Sequence, residues 1–226
     1  MQRSEINVYL TEAMAFFKAQ TFYLPPFAYW SPEHWATLGA AGDYLRLRGL
    51  GWDLTDFGSG KFEQSGLVLF TLRNGLIGDT SKIFAEKIMM VRVNQRSPFH
   101  FHFQKTEDII NRGGGRLVIE LYNSDPQGKF AATDVTVRCD GLERTVPAGG
   151  SVILEPGESV TLVPGLYHSF FAVDAHTMLG EVSSVNDDAK DNRFYEPLQR
   201  FTHIDETDEN ERPLFLLCND YKSYLP

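Results

Sequence analysis

The spacing of apolar residues divides the chain into an N-terminal part with helical periodicity and a longer part with strand periodicity. SEINVYLTEAMAFFKAQ predicts an amphipathic helix that Ser4 caps. Its apolar face is predicted to carry Val8, Ala13, Phe16 and Phe17. SPEHWATLG predicts a second, short helix with Ser31 as its N-cap and Gly39 as its end. The connector FYLPPFAYW is too apolar to stay in solvent, so we expect it to cover a face of the fold or a subunit interface.

From about residue 65 the pattern changes to short apolar strands separated by turn residues. The predicted strands are GLVLFTLRNG, KIMMVRVNQ, FHFHF, GRLVIELYNS, DVTVRCDG, RTVPAGGSVIL, ESVTLVPG, YHSFFAV and TMLGEVSSV. No interval between them has room for a crossover helix, so the sequence predicts an all-β antiparallel barrel or sandwich. The three glycines 113–115 predict a tight turn between strands, and RPLFLLCND predicts a last strand or a covering segment. We expect one domain, 1–226, made of a helical and aromatic arm (1–60), a barrel core (65–185) and a C-terminal covering segment (186–226).

The composition is that of an ordinary globular protein, with 42% apolar and 23% charged residues in 226. A net charge of −9 argues against nucleic acid and against anionic membrane surfaces as partners. The N-terminal residues lack the apolar region of a signal peptide, and no apolar run approaches the roughly 20 residues of a membrane span. Two cysteines, Cys139 and Cys218, are too few for a disulfide framework, so we expect free thiols and a cytoplasmic location.

The stretch PFHFHFQKTED contains the most informative chemistry. On a strand His100 and His102 share one face, whereas the phenylalanines between and beside them share the other. Glu107 follows five residues later, and His168 lies on a later predicted strand in PGLYHSFF. Burying two histidines without partners costs free energy, which argues against a purely structural role for both. The four residues therefore predict a metal site with nitrogen and oxygen ligands in the interior of the barrel.

These segments resemble the two motifs of the cupin superfamily. HFHFQKTEDIINRG fits the ligand half of the first motif, His-x-His, four residues, Glu, six residues, Gly, and GESVTLVPGLYH resembles the second. Three motif positions differ, because Asn94, Val163 and Ala172 stand where the pattern has glycine, proline and asparagine. The resemblance implies a cupin barrel of jelly-roll type over roughly residues 65 to 185.

HFHFQKTEDIINRGGG and GEVSSVNDDAKDNRF together resemble the D-lyxose isomerase family of cupins, and the likeness extends over nearly the whole chain. The resemblance implies a manganese-dependent sugar isomerase, commonly a homodimer, that interconverts D-lyxose and D-xylulose, with D-mannose and D-fructose as a secondary pair. It also implies one divalent ion, most simply Mn²⁺, that is bound by His100, His102, Glu107 and His168.

Aldose–ketose isomerisation needs a base at C2 and a donor for the developing oxyanion, and the chain offers candidates for both. We predict Glu181 as the general base, because it ends a predicted inward strand. Lys105 is predicted to stabilise the oxyanion or to move the oxygen proton. Asp188, Asp191 and Arg193 are predicted to bind sugar hydroxyls, although a solvated turn also explains such a segment.

Three other functions are compatible with the same ligand set. A non-haem iron dioxygenase uses three histidines and one glutamate, but it does not need the additional acid–base residues. A cupin-type phosphosugar isomerase needs a basic phosphate pocket, for which the sequence offers only the scattered candidates Arg92, Arg112, Arg116 and Arg193. A sugar- or metal-binding cupin without catalysis is the third alternative.

Overall fold

The computed structural model describes residues 1–207 and 211–225. The helices are α1 (Arg3–Ala19), α2 (Pro32–Thr37), α3 (Asp43–Leu47) and α4 (Tyr221–Tyr224). The strands are β1 (Gly51–Thr55), β2 (Leu67–Arg73), β3 (Phe84–Val91), β4 (His100–His102), β5 (Glu107–Asn123), β6 (Val135–Cys139), β7 (Leu142–Val146), β8 (Ser151–Leu154), β9 (Ser159–Leu162), β10 (Leu166–Ser184) and β11 (Asn192–Phe194). The chain is therefore dominated by strands, as the sequence predicted.

All strand pairs in the described ranges are antiparallel, and they form one sheet. Its hydrogen-bonded order is β1-β2-β3-β10-β5-β9-β6-β7, with β8 beside β5 and with β4 between β10 and β11. The hydrogen bonds do not close this order into a ring. The sheet nevertheless wraps around a common interior, since residues from β2, β3, β5, β6, β8, β9 and β10 share one apolar cluster.

The long strand β10 covers two predicted strands, and β5 covers one predicted strand together with the predicted turn before it. YHSFFAV and TMLGEVSSV were predicted as separate strands, but both lie in β10, and the register shift between Val173 and Thr177 marks a bulge rather than a turn. The prediction of a tight turn at the three glycines is also wrong. These residues lie within β5, opposite the bulge in β10. A Cβ atom on Gly114 would overlap the carbonyl oxygen of His176, and φ of Gly114 is +92°. Glycine is needed there for close approach of two backbones.

The sheet is buried on both faces where α1 covers it. Along β2, Leu67 and Leu69 face the interior cluster, whereas Val68 and Phe70 pack in a second cluster with α1. This alternation is what a strand between two apolar layers requires. The N-terminal helix therefore lies on the outer surface of β2 and its neighbouring strands.

Details of α1 differ from the sequence prediction. Its N-cap is Gln2, which together with Glu5 forms a capping box, so the prediction of Ser4 as the cap is wrong. The buried face carries Ile6, Leu10, Ala13 and Phe17, whereas Val8 is 54% exposed. In α2 the prediction is confirmed, since the Ser31 side chain accepts a hydrogen bond from the backbone N–H of His34 at 3.3 Å.

The aromatic connector and the C-terminal tail pack on the same outer side. Phe27 contacts Phe70 with ring centroids 5.1 Å apart, and Ala28 is buried beside Trp52. Leu217 forms an isolated bridge with Trp52, so this tail covers β1 rather than adding a full strand. Strand β1 itself lies inside the arm that was predicted to be helical and aromatic. Residues 208–210 of the predicted covering segment lie outside the described residues.

Both cysteines are free thiols, as predicted. In the described ranges, no helix is long and apolar enough to cross a membrane.

Candidate metal centre and active site

Three strands bring the predicted metal ligands together. His100 and His102 lie on β4, and Glu107 is the first residue of β5. His168 lies near the beginning of β10, directly opposite His100 in the pairing of β10 with β4. Phe101, between the two histidines, faces away and packs against Tyr167 with ring centroids 4.7 Å apart. The alternation along a strand therefore turns both imidazoles inward, as the sequence predicted.

The ligand atoms converge on one point. Nitrogen atoms of His100, His102 and His168 all lie within 4.8 Å of one another. Glu107 Oε1 lies 3.3 Å from His102 Nε2 and 3.2 Å from His168 Nε2. The carboxylate oxygen thus faces the same small space as the imidazoles.

Backbone carbonyls fix the tautomer of all three histidines. The Nδ1 atom lies 2.9 Å from Pro98 O in His100, 3.2 Å from Asp191 O in His102 and 3.1 Å from Leu166 O in His168. A carbonyl oxygen only accepts hydrogen bonds, so each Nδ1 carries the proton and each Nε2 keeps its lone pair. Metal-bound histidines commonly donate their other ring N–H in this way.

Two further observations fit a bound cation. His168 Nε2 is buried and has no hydrogen-bond partner among the described residues, although Glu107 Oε1 lies 3.2 Å away. Burial, and then the neighbouring His168 and His102, lower the pKa of His100 well below its usual value. A neutral imidazole is the form that ligates. The three histidines can therefore bind one metal ion, and Glu107 faces the same position.

A chain of ion pairs connects this position to the predicted acid–base residues. Lys105 Nζ lies 2.7 Å from Glu107 Oε2 and donates to Glu181 Oε1 at 2.8 Å. All three side chains are buried. Burial alone lowers the pKa of Lys105, but the carboxylates of Glu107 and Glu181 outweigh it, so the pKa is raised. Burial likewise raises the pKa of Glu107, but the neighbouring Lys105 outweighs it and brings the pKa well below its usual value. Lys105 is therefore held as a cation and Glu107 as an anion.

A second part of this network contains Asp188, which the sequence predicted as a site residue, together with Lys87, Arg200 and Asp53, which it did not. Lys87 Nζ lies 3.5 Å from Glu181 Oε1 and 3.2 Å from Asp188 Oδ1. Arg200 Nη2 then lies 3.0 Å from Asp188 Oδ2 and 2.7 Å from Asp53 Oδ2. Lys87 is the direct cross-strand partner of Glu181 in the pairing of β3 with β10. Knowledge of that strand register would identify Lys87, but the sequence does not specify the register. Arg200 lies in an irregular segment that contains no motif.

Asp188 is ionised within this network. Burial raises its pKa, but Arg200, Lys87 and Lys105 outweigh burial and hold the pKa well below its usual value. The pKa of Asp53 is raised, because its complete burial outweighs the attraction of Arg200.

Asp191 and Arg193 lie outside the cavity that the ligands line. The Asp191 carboxylate accepts hydrogen bonds from the backbone N–H groups of Gln104 and Lys105, at 2.8 and 2.9 Å. It thereby holds the turn between His102 and Glu107. Arg193 lies between two cavity residues on β11, so its side chain points outward, where it donates to Gln127 O at 3.3 Å.

The metal-site residues line one small cavity in the interior of the sheet. Its polar lining consists of the metal-site residues, the ion-pair network without Asp53, and Thr55, Ser97 and Asn192. Its apolar lining consists of Phe57, Leu67, Leu69, Met89, Ile109, Phe170 and Phe194. A cavity with a metal position, a carboxylate and several fixed donors suits acid–base chemistry on a small polar molecule.

The fold is shared with a class of sugar isomerases of known structure. The L-ribose isomerase of Cellulomonas parahominis, solved with L-ribose, aligns with a TM-score of 0.60 over 91% of this chain and 98% of that one, at 17% identity. The L-ribose isomerase of Geodermatophilus obscurus aligns with a TM-score of 0.55 and 16% identity, over 91% of this chain and 98% of that one.

Sequence comparison then identifies the family. The family model for D-lyxose isomerase matches residues 1–221. A D-lyxose/D-mannose isomerase of Escherichia coli O157:H7 is 47% identical over 99% of this chain and 100% of its own length. Another from Serratia proteamaculans is 46% identical over 100% of both chains. The chain belongs to the D-lyxose isomerase family, which confirms the resemblance found in the sequence.

Proposed function

We propose that the protein is a metal-dependent aldose–ketose isomerase that interconverts D-lyxose and D-xylulose, with D-mannose and D-fructose as a second pair. One observation carries the proposal. Lys105 joins Glu181 to Glu107, and the other Glu107 oxygen faces the Nε2 atoms of His102 and His168. A base, a cationic donor and a metal position are thus adjacent in one cavity. Family membership supplies the substrate class.

Glu181 is the proposed general base. Its polar contacts in the described part of the chain all involve Oε1, with Lys105 at 2.8 Å, Ser183 at 3.2 Å and Lys87 at 3.5 Å. These contacts fix the carboxylate and leave Oε2 available for a proton. Glu181 Oε2 takes the C2 proton of the open-chain aldose, which gives an enediolate, and returns it to C1, while the proton on O2 moves to O1 to complete the ketose.

Lys105 is the proposed electrophilic donor. Both roles predicted from the sequence suit it, because an ammonium group can stabilise the developing oxyanion and can move the proton from O2 to O1. Its ammonium group has donors fixed by two carboxylates, and fixed donors stabilise developing charge without reorganisation. Lys105 therefore donates to a sugar oxygen as negative charge develops during proton removal from C2.

A divalent ion held by His100, His102, Glu107 and His168 supplies Lewis-acid polarisation of the sugar carbonyl. We propose Mn²⁺ as the physiological ion, following the family resemblance. The nitrogen and oxygen donor set also suits iron, cobalt and zinc, among which geometry and availability select.

The charges in the cavity favour a neutral sugar over a phosphosugar. Each of the three cationic side chains that line it already has a carboxylate partner: Lys87 with Asp188, Lys105 with Glu107 and Glu181, and Arg200 with Asp53 and Asp188. A phosphate dianion would have to compete with these carboxylates, of which Glu107, Glu181 and Asp188 line the same space. We expect no turnover of sugar phosphates.

A turnover screen tests the proposed function. The protein is stripped with a chelator, reloaded separately with Mn²⁺, Fe²⁺, Co²⁺ or Zn²⁺, and supplied with a panel of free aldoses and their phosphates. We expect metal-dependent conversion of D-lyxose and D-mannose, with no oxygen uptake. Oxygen consumption with a candidate substrate would favour the dioxygenase alternative, and metal binding without turnover of any aldose would favour a non-catalytic cupin.

We also propose a homodimer, as the family resemblance implies, and a cytoplasmic location, which agrees with the two free thiols. The outer side of the aromatic connector supports an intersubunit contact, because Tyr23 is 79% exposed and Tyr29 is 53% exposed. Sedimentation equilibrium measures the mass, for which we expect twice the 25.6 kDa of the chain. Replacing Tyr23 and Tyr29 by serine should weaken the dimer, and unchanged association would remove this connector from the interface.

A further inference from the structure

Arg200 lines the cavity and has a buried hydrogen-bond donor, Nη1, to which the proposed chemistry assigns no role. Among the described residues, only five buried side-chain atoms lack a hydrogen-bond partner, and two of these, His168 Nε2 and Arg200 Nη1, belong to residues that line the cavity. A bound metal would satisfy His168 Nε2. Arg200 Nη1 carries N–H donors that a metal cannot satisfy, and a buried donor without an acceptor is costly.

The orientation of the Arg200 guanidinium group is fixed on one side. Its Nη2 atom contacts both Asp53 Oδ2, at 2.7 Å, and Asp188 Oδ2, at 3.0 Å. The guanidinium group is planar, so two carboxylates on one nitrogen also determine where the other points. Nη1 is therefore held in place with its donors uncommitted.

The backbone around Arg200 is attached to the end of β1. Arg200 O accepts a hydrogen bond from Thr55 Oγ1 at 2.6 Å, and Thr202 Oγ1 accepts one from the Asp56 backbone N–H at 2.7 Å. Gln199 N–H donates to Phe57 O at 3.3 Å. Although the segment has no regular secondary structure, these bonds attach it to the end of β1 on both sides of Arg200.

Arg200 lies at the opposite end of the ion-pair network from the metal position. From Glu107 the contacts lead through Lys105 and Glu181 to Lys87, then through Asp188 to Arg200. A sugar whose C1 and C2 oxygens lie beside the metal position and Lys105 would extend its remaining carbons toward the far end of the cavity. A sugar hydroxyl oxygen at that end of the cavity would be an acceptor for Arg200 Nη1.

We propose that Arg200 is a specificity-determining residue whose Nη1 binds the hydroxyl farthest from the reacting carbons, which is the C5 hydroxyl of an open-chain pentose. This inference rests on the proposed function and deepens it. Asp53 and Asp188 act through Arg200, since they hold the guanidinium group in position. The contact selects neutral polyhydroxylated chains of at least five carbons.

The experiment compares D-lyxose with 5-deoxy-D-lyxose in the manganese-loaded wild-type protein and in Arg200→Lys. Lysine keeps a positive charge for Asp53 and Asp188 but lacks the second fixed nitrogen. We expect wild type to lose roughly 10- to 100-fold in kcat/KM on the deoxy sugar, mostly through KM. Arg200→Lys should lose a similar factor on D-lyxose and little more on the deoxy sugar. Arg138→Met, on a side chain that is 69% exposed, is the matched control and should behave as wild type.

A binding measurement separates this inference from the proposed function. D-lyxitol and 5-deoxy-D-lyxitol have no carbonyl group, so calorimetric titration of both proteins reads the contact without turnover. Weaker binding of the deoxy polyol by wild type but not by Arg200→Lys would support the contact even if no aldose were isomerised. Equal discrimination by both proteins, with metal content unchanged, would overturn it even if D-lyxose were isomerised.

Discussion

At the scale of single residues, Lys105 joins the metal position to the proposed base. Lys105→Met keeps much of the side-chain length and removes the ammonium group that lies 2.7 Å from Glu107 and 2.8 Å from Glu181. We expect kcat on D-lyxose to fall by roughly 10²–10³, the range for loss of one oxyanion donor. Lys18→Met changes an exposed lysine of α1 in the same way and should have no effect. Steady-state kinetics checks the prediction, and a Lys105→Met protein with normal kcat would contradict it.

His102 tests the metal position. His102→Ala removes one of three converging imidazoles while leaving the apolar cluster of the interior intact. We expect metal and activity to be lost together, and the fold to remain, since the core does not depend on the ion. His203→Ala, at an exposed histidine, is the control. Elemental analysis measures the metal and circular dichroism the fold, and full metal occupancy in His102→Ala would refute the site.

The sequence predicted residues whose chemistry and spacing are local. His100 and His102 could be found because strand alternation turns them to one face, and Lys105 and Glu107 follow them directly. Lys87 and Arg200 could not be found, because only the register of β3 with β10 and the path of an irregular segment bring them to Glu181 and Asp188.

At the scale of elements, the close approach of the paired strands β5 and β10 at the bulge depends on a glycine. Gly114→Ala places a Cβ against the carbonyl of His176 and strains a φ of +92°, so we expect a loss of about 1–3 kcal/mol in unfolding free energy. Gly141→Ala is the matched control, because its φ is +83° with nothing within 4 Å of the added atom. Urea denaturation measures both. Equal losses would show that the overlap with His176 is relieved without cost.

Asp188, which precedes β11, contacts Arg200 in the segment that follows β11. We predict that acid weakens this contact and lowers the stability of the fold. The folded-state pKa of Asp188 lies below the unfolded value, so its ionised form stabilises the fold above about pH 4, and this contribution is lost as the pH falls through the folded pKa. Asp188→Asn should cost about 1–3 kcal/mol at pH 7, because Arg200 and Lys87 lose a partly buried charged partner. The difference between the two proteins should shrink below about pH 4 in urea titrations. A difference independent of pH would contradict the ionised state of Asp188.

Periodicity predicted the elements better than their boundaries. A break at Asp174 to His176 suggested two strands, whereas the structure continues β10 through a bulge. Residues in a bulge have turn-like composition, since Asp174 adopts a φ of +70°. Only the partner strand distinguishes a bulge from a turn, and a sequence does not specify which strand that is.

At the scale of the whole molecule, both faces of the sheet carry apolar clusters, but only the inner face carries the candidate site. The outer face at β2 and β3 packs against α1, while the inner face encloses the cavity with the ion-pair network. The resemblance of the sequence to the D-lyxose isomerase family covered both faces, and the comparisons confirm it. The preferred sugar depends on the shape and hydrogen-bonding groups of the inner cavity, which composition and periodicity do not specify.

The proposed role of Glu181 is tested most directly by the turnover of D-lyxose in Glu181→Gln. Glutamine keeps the shape of the side chain and removes the base, so kcat should fall by about 10² or more while metal content is unchanged. Glu143→Gln, at a side chain that is 68% exposed, should behave as wild type. In D₂O the wild-type protein should incorporate deuterium into the D-xylulose it forms, as proton transfer through a carboxylate allows. Turnover close to wild type in metal-loaded Glu181→Gln would contradict the account, whatever the isotope result.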